Sequence, residues 1–298
     1  MRQWLRVGRR LSIRPVNPPA ADATVSREAR CSCLHKESGM DGQFLIVFSV
    51  ALAAALASPL GGAIATFVRP SSLFLSIAVG LAGGVLLGTF AFEMLPKALK
   101  LSGLTVGVAG FAVGFALVYG LDLYVNRGAV AGSRAEQRRR VEWFHRRHRP
   151  LGSEVTVLAG ATSVEELIEG ITIGVGAAID PSVAAIVGLA IFIDNISEGL
   201  SIGELAREES GKDYKARTLK WTGLMGAALF GAAMAGWFLL RGLPDGLLGF
   251  LLAVGAGGMF YLTVTDLIPE AETHHYLQSA AIAGAIGFLV MLVLSELT

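Results

Sequence analysis

The sequence predicts an all-α polytopic membrane protein with eight transmembrane helices, from its composition and its recurring apolar runs. Of the 298 residues, 53% are hydrophobic and only 16% are charged, and the mean hydropathy is +0.58. Soluble globular chains average about 25% charged residues. Apolar runs of about twenty residues, the length that crosses a bilayer as a helix, recur along the chain. These observations exclude a soluble globular fold.

The eight predicted spans follow from hydropathy windows of about nineteen residues. Most of the links between them are short, and the longest is a polar, arginine-rich loop over about 126–154. This loop is expected either to contact anionic lipid headgroups or to be a solvated loop that sets the topology. Spans 1 to 8 are 43–67, 72–96, 102–125, 155–179, 183–206, 219–240, 246–270 and 279–296.

The first 39 residues differ from the rest of the chain. They carry seven arginines and one lysine, and they contain no run long enough to cross a membrane. We interpret 1–39 as a disordered tail or a mis-annotated start, with Met40 as the alternative start; a transit peptide is the other interpretation. Residues 40–298 are then one eight-helix transmembrane domain.

Basic residues in the links predict how the chain is oriented. With links alternating between sides, one side receives 14 lysines and arginines and the other receives three. Because cytoplasmic loops carry the excess of basic residues, the first side is cytoplasmic and both termini face outward. We expect a multi-pass protein of the cytoplasmic (inner) membrane.

A short pattern repeats in spans 2 and 7. Segments 93–98 and 266–271 share an acid-x-x-Pro-x-Ala pattern, and a Gly-Gly pair precedes each. Span 2 runs outward and span 7 runs inward, so the pattern predicts an inverted repeat. Inverted repeats around a polar site at the membrane midplane are typical of secondary transporters.

Two matching motifs place acidic residues in the middle of spans 4 and 5. Each has an acid, a polar residue directly after it and a second carboxylate four residues after the first, followed by glycine. A carboxylate at the centre of a membrane helix costs about 2.5–3.5 kcal/mol, so five would cost about 12–17 kcal/mol if unpaired. No lysine or arginine lies in either motif. The residues are Glu165, Glu166, Glu169, Asp194, Asn195 and Glu198.

Helical spacing puts the acids of each motif on one face, because residues three and four apart are neighbours. If the two spans pack side by side, two adjacent cation positions result, and Glu169 and Glu198 could bridge both. The alternative is a hydrogen-bond network of protonated acids that holds two helices together.

Further polar residues near the ends of spans 2 and 7 are candidates for a pathway to and from this site. Glu93 lies near the outer end of span 2. The alternative is that these are solvated residues at the membrane surface. The candidates near the inner end of span 7 are Asp266, Glu270, Glu272, His274 and His275.

The two motifs resemble those of the ZIP family of divalent-metal transporters, and the resemblance covers about 43–298. It implies a 3+2+3 bundle of helices and a binuclear metal site between spans 4 and 5. By position, Glu165, Glu169, Asp194 and Glu198 would hold one metal ion. The second would be held by Glu166 and Asn195, with Glu169 and Glu198 shared.

The sequence departs from the family pattern in its ligands. Both positions that are usually histidine are acids here, Glu165 and Asp194, and Ser197 stands where proline is usual. An all-oxygen site suits harder ions such as Mn²⁺, whereas imidazole suits Zn²⁺ and Fe²⁺. The transported ion, which is the substrate, is therefore expected to be Zn²⁺, Mn²⁺ or Fe²⁺.

The function predicted is divalent-cation transport, and the protein is not expected to be an enzyme. A metal-sensing membrane protein without flux and a membrane-embedded metalloenzyme are the alternatives; no HExxH motif occurs. The expected partners are metal ions and the lipid bilayer, with no nucleic acid. The two GxxxG pairs of span 3, Gly103 to Gly114, indicate either a homodimer face or packing inside one bundle.

Overall fold

A computed structural model describes residues 23–122, 154–210, 213–273 and 276–297. The chain divides into two units, Met1–Gly42 and Gln43–Thr298. The predicted loop 126–154 lies outside the described residues apart from Glu154.

The described residues form helices and no strand. Two helices each contain one wider, π-helical segment, so that α2 continues through it into α3, and α8 continues into α9. The elements are α1 Ala23–Phe67, α2 Ser72–Gly88, π1 Thr89–Met94, α3 Leu95–Ser102, α4 Leu104–Leu121, α5 Glu154–Ile179, α6 Pro181–Ser210, α7 Tyr214–Leu240, α8 Asp245–Leu262, π2 Thr263–Leu267, α9 Ile268–Thr273 and α10 Leu277–Glu296.

Seven of the described helices are long and apolar enough to cross a membrane, which confirms a multi-pass helical protein. They coincide with the predicted spans 1, 2, 3, 5, 6, 7 and 8. The helix at predicted span 4, α5, has 26 residues. It is not among the seven because it carries Glu165, Glu166 and Glu169 in its middle. The predicted ligands therefore lower the hydropathy of the helix that carries them.

The π-helical segments lie at the two copies of the acid-x-x-Pro-x-Ala pattern. The residue before each proline donates its backbone N–H to the carbonyl five residues earlier, from Leu95 to Phe90 and from Ile268 to Thr263. Proline lacks the backbone N–H that an α-helical residue donates to the carbonyl four residues earlier, so the preceding turn must adjust. Single π-helical turns are often found at functional sites. The pattern thus marks the same local distortion in both helices.

Close packing between helices depends on glycines at the crossing points. A Cβ on Gly199 of α6 would overlap the Ser58 carbonyl oxygen of α1, and one on Gly170 of α5 would overlap the Leu229 carbonyl oxygen of α7. Glycine allows membrane helices to approach to backbone contact. These contacts bring α1 beside α6 and α7 beside α5, around the acidic motifs.

The glycine face of predicted span 3 packs within the chain. A Cβ on Gly110 or Gly114 of α4 would meet the carbonyl oxygens of Phe250 or Val254 in α8. This contact favours packing inside the bundle as the reason for these glycines, and the homodimer stays a prediction.

Burial separates inner from outer helices. In the spans that begin at Ser72, Pro181 and Asp245, 67% of the most apolar 18-residue stretch is buried. In α4 and α10 the corresponding fraction is only 22%. The helix carrying Asp194 and Glu198 is therefore surrounded by other helices, and α4 and α10 leave most of their surface exposed.

Candidate metal site

Three carboxylates from α5 and α6 converge inside the bundle. Glu165, Asp194 and Glu198 each offer an oxygen, and these oxygens all lie within 4.8 Å of one another. Glu165 and Asp194 are buried, and Glu198 is half-buried. Asp194 and Glu198 share one face of α6 because they are four residues apart. Such a cluster of hard oxygen ligands can hold a divalent cation.

Glu166 points to a second group of side chains. Its Oε1 accepts a hydrogen bond from the Ser58 hydroxyl of α1 at 2.7 Å, and its Oε2 accepts one from Asn195 Nδ2 of α6 at 2.9 Å. Asn195 Nδ2 also lies 3.3 Å from the Ala54 carbonyl oxygen, to which it donates. Three helices are therefore joined at Glu166, and all four of these groups are buried.

Several oxygens near this network have no hydrogen-bond partner in the described part of the chain. They are both carboxylate oxygens of Glu169, Oε2 of Glu198 and Oδ1 of Asn195. A buried polar oxygen without a partner costs free energy that a bound cation would recover. Because the Asn195 amide nitrogen is used by Glu166, its oxygen is the atom left to bind a cation.

The predicted ligands therefore fall into a cluster and a network. Glu165, Asp194 and Glu198 make the cluster, whereas Glu166 and Asn195 contact each other directly. Glu169 is 1% exposed and is outside the group of three converging carboxylates. Ser58 was missed in the sequence. Its only signal was a Ser-Pro pair, 58–59, in the middle of an apolar run.

The pathway candidates lie in or next to the π-helical segments. Glu93 lies in π1 and is buried, with Oε1 3.5 Å from Lys97 Nζ. Asp266 lies in π2 and Glu272 in α9, although their side chains are outside the described part. Glu270, in α9, is half-buried. His274 and His275 lie outside the described residues.

Comparison with known proteins gives relatives that are aligned over almost their whole length. The chain is 32% identical over 266 residues to a zinc transporter ZupT of Corynebacterium efficiens, covering 85% of this chain and 97% of that protein. It is 31% identical over 267 residues to a zinc transporter ZupT of Corynebacterium glutamicum, covering 85% and 98%. A zinc transporter ZupT of Lysinibacillus sphaericus is 27% identical over 275 residues, covering 86% and 98%.

No family model matches the chain. The relatives are named as transporters, which confirms the prediction that the protein is not an enzyme. The chain belongs to the ZIP family of metal transporters, of which the ZupT proteins are members.

Proposed function

We propose that this protein transports divalent metal ions across the cytoplasmic membrane, with Zn²⁺ as its main substrate. The observation that carries the proposal is the convergence of Glu165, Asp194 and Glu198 within 4.8 Å inside a bundle of membrane-length helices. The names of the relatives favour zinc. Buried carboxylates that repel one another need a cation or protons between them, and a transported ion supplies that charge transiently.

The architecture we propose has α5 as an eighth membrane span in a 3+2+3 bundle with an inverted repeat. Two observations support the repeat. The π-helical segments occupy equivalent positions, and α2 packs on α10 as α4 packs on α8. If spans 1–3 are equivalent to spans 6–8, α2 corresponds to α8 and α4 corresponds to α10. The two helix pairs are then equivalent.

The site we propose is binuclear. One ion would be bound by Glu165, Asp194 and Glu198 with Glu169, and the second by Glu166, Glu169, Asn195 and Glu198. The unpartnered oxygens of Glu169, Glu198 and Asn195 support the second position. Ions would enter past Glu93 and leave past a group on the inner side formed by Asp266, Glu270, Glu272, His274 and His275.

Manganese and iron are the second candidates for the transported ion. The observation that favours Mn²⁺ is the ligand set, since the proposed positions offer carboxylate and amide oxygens and neither imidazole nor thiolate. Zinc would then be bound more weakly than by histidine, which suits a site that must also release its ion.

Uptake into proteoliposomes tests the proposal. We expect the wild type to take up Zn²⁺ and Glu198→Gln to lose at least about tenfold in rate, since even outer-shell changes at metal sites cost about 10–100-fold. Glu208→Gln is the matched control, because Glu208 is exposed at the end of the same helix. Parallel assays with Mn²⁺, Fe²⁺, Co²⁺ and Cd²⁺ rank the ions.

Binding without flux in a folded wild type would contradict transport and favour the metal-sensing alternative. An uptake rate in Glu198→Gln equal to the wild-type rate would contradict the site while leaving transport intact.

A further inference from the structure

A lysine lies against the proposed entrance. Glu93 is 3% exposed, and the only cation near it among the described residues is Lys97, four residues along the same helix and 30% exposed. An ordinary i, i+4 pair lies on a solvated helix surface, where water weakens the attraction between the two charges. Here the carboxylate is buried and the ammonium reaches it from the exposed side.

The contact between the two groups is loose. Lys97 Nζ is 3.5 Å from Glu93 Oε1, and this oxygen accepts no hydrogen bond within the described part of the chain. Glu93 also lies in π1, where the backbone departs from regular helix. A charge held at this distance can be displaced by a stronger cation, because attraction grows with the charge of the ion.

The position of Lys97 differs in charge between the two copies of the repeat. In the pattern acid-x-x-Pro-x-Ala, the residue between proline and alanine is Lys97 in the outer copy and Glu270 in the inner copy. The outer copy therefore combines a carboxylate with a resident positive charge, whereas the inner copy has two carboxylates. This difference predicts unequal treatment of a cation at the two ends of the pathway.

Lys97 also lies close to the outer end of the helix that carries the metal site. π1 packs against α6, and Lys97 is near enough to Asp180, directly before α6, to influence its charge. Asp194 lies fourteen residues further along α6. At 1.5 Å per residue this is about 21 Å, so Lys97 is outside the metal site and next to the route toward it.

We propose that Lys97 is a tethered counter-cation that occupies Glu93 until an incoming divalent ion displaces it, and so sets the metal concentration needed for entry. This inference rests on the proposed transport function and on Glu93 as the entrance. A divalent ion displaces the ammonium because it carries twice the charge, whereas a monovalent ion of equal charge gains nothing. Lys97 thereby selects for divalent ions and weakens apparent affinity.

Initial rates of Zn²⁺ uptake in right-side-out vesicles test this role. We expect Lys97→Gln to lower KM for Zn²⁺ by roughly 2- to 5-fold, the factor that corresponds to losing one loose ion pair whose ammonium is partly solvated. Lys97→Arg should keep KM near the wild-type value because it retains the charge. Lys100→Gln is the control for general surface charge, since Lys100 is exposed one turn further on.

A KM in Lys97→Gln equal to that of the wild type, or an equal fall in Lys100→Gln, would overturn the proposal. Should the wild type show no uptake at all, the transport function fails, and equilibrium Zn²⁺ binding then decides the role of Lys97. In a Glu198→Gln background, Lys97→Gln should tighten Zn²⁺ binding by the same roughly 2- to 5-fold factor. Unchanged Zn²⁺ binding would refute the role of Lys97 as a counter-cation.

Discussion

At the scale of single residues, Glu166 is the member of the acidic group for which a hydrogen-bond donor is described at each carboxylate oxygen. It accepts hydrogen bonds from Ser58 at 2.7 Å and from Asn195 at 2.9 Å, and it is fully buried. A hydrogen bond inside a protein contributes about 0.5–1.5 kcal/mol, and more where the acceptor is charged. The two donors fix the direction of both carboxylate oxygens before any ion is bound.

We expect Ser58→Ala to lower Zn²⁺ affinity by about tenfold, because outer-shell partners of metal ligands typically contribute 10–100-fold. Isothermal titration of the purified protein measures this, with Thr66→Val as the control. Thr66 is buried in the same helix but its hydroxyl bonds to the Ala63 carbonyl and not to the site. Equal affinity in Ser58→Ala and the wild type would show that Ser58 only packs.

The acidic residues could be identified from sequence because a carboxylate in an apolar run is costly and therefore informative. Ser58 could not. The hydroxyl of a serine or threonine in a membrane helix can donate to the backbone carbonyl one turn earlier in the same helix, as those of Thr89 and Thr172 do. Only the packing of α1 against α5 and α6 directs the Ser58 hydroxyl to Glu166.

At the scale of elements, α6 has a well-defined beginning. Asp180 is its N-cap and accepts hydrogen bonds at Oδ1 from the Ser182 backbone N–H at 2.8 Å and the Ser182 hydroxyl at 2.7 Å. Pro181 occupies the first helical position, where its missing N–H is not needed. The Asp-Pro pair is a sequence signal for a helix start. It places the start of α6 two residues before the predicted 183.

The cap predicts a pH dependence of stability. The Ser182 backbone N–H, then its hydroxyl, and then the Lys97 ammonium hold the pKa of Asp180 below its ordinary value of 3.8. Since the folded-state pKa is lowered, the ionised cap stabilises the protein above the unfolded-state pKa. That stabilisation is lost as pH falls through the folded-state pKa.

We expect Asp180→Ala to lower the free energy of unfolding by about 0.5–2 kcal/mol near neutral pH, toward the lower end because the side chain is exposed. The difference should shrink below about pH 4. Thermal melts of the detergent-purified protein across pH measure it. Asp180→Asn keeps a neutral cap and should lack this pH dependence; a constant difference for Asp180→Ala would refute the ionic contribution.

At the scale of the whole molecule, the uneven distribution of basic residues predicts which side each link faces. Gly242, between α7 and α8, and Glu208, near the end of α6, are both exposed and lie on opposite predicted sides. After Cys31 and Cys33 are replaced by serine, Gly242→Cys should react with a membrane-impermeant maleimide in intact cells. Glu208→Cys should react only after permeabilisation. The reverse result would show that the orientation is opposite to the predicted one.

The sequence by itself determined the class of the molecule and its family. Apolar runs, glycine content and carboxylates at membrane depth follow from composition and spacing, since the cost of polar groups in lipid acts on each segment separately. Even there, the three acids of the predicted site in α5 kept this helix out of the group of seven apolar, membrane-length helices.

Only the tertiary structure decided which atoms meet. The convergence of Glu165 with Asp194 and Glu198, the tie from Ser58 to Glu166 and the approach of Lys97 to buried Glu93 depend on how helices cross and how their faces rotate. Periodicity identifies a face but not its partner, because packing in lipid is set by small residues at the crossing points and not by hydrophobicity. The glycines at 170 and 199 let α5 approach α7 and let α6 approach α1, and these helices surround the acidic motifs.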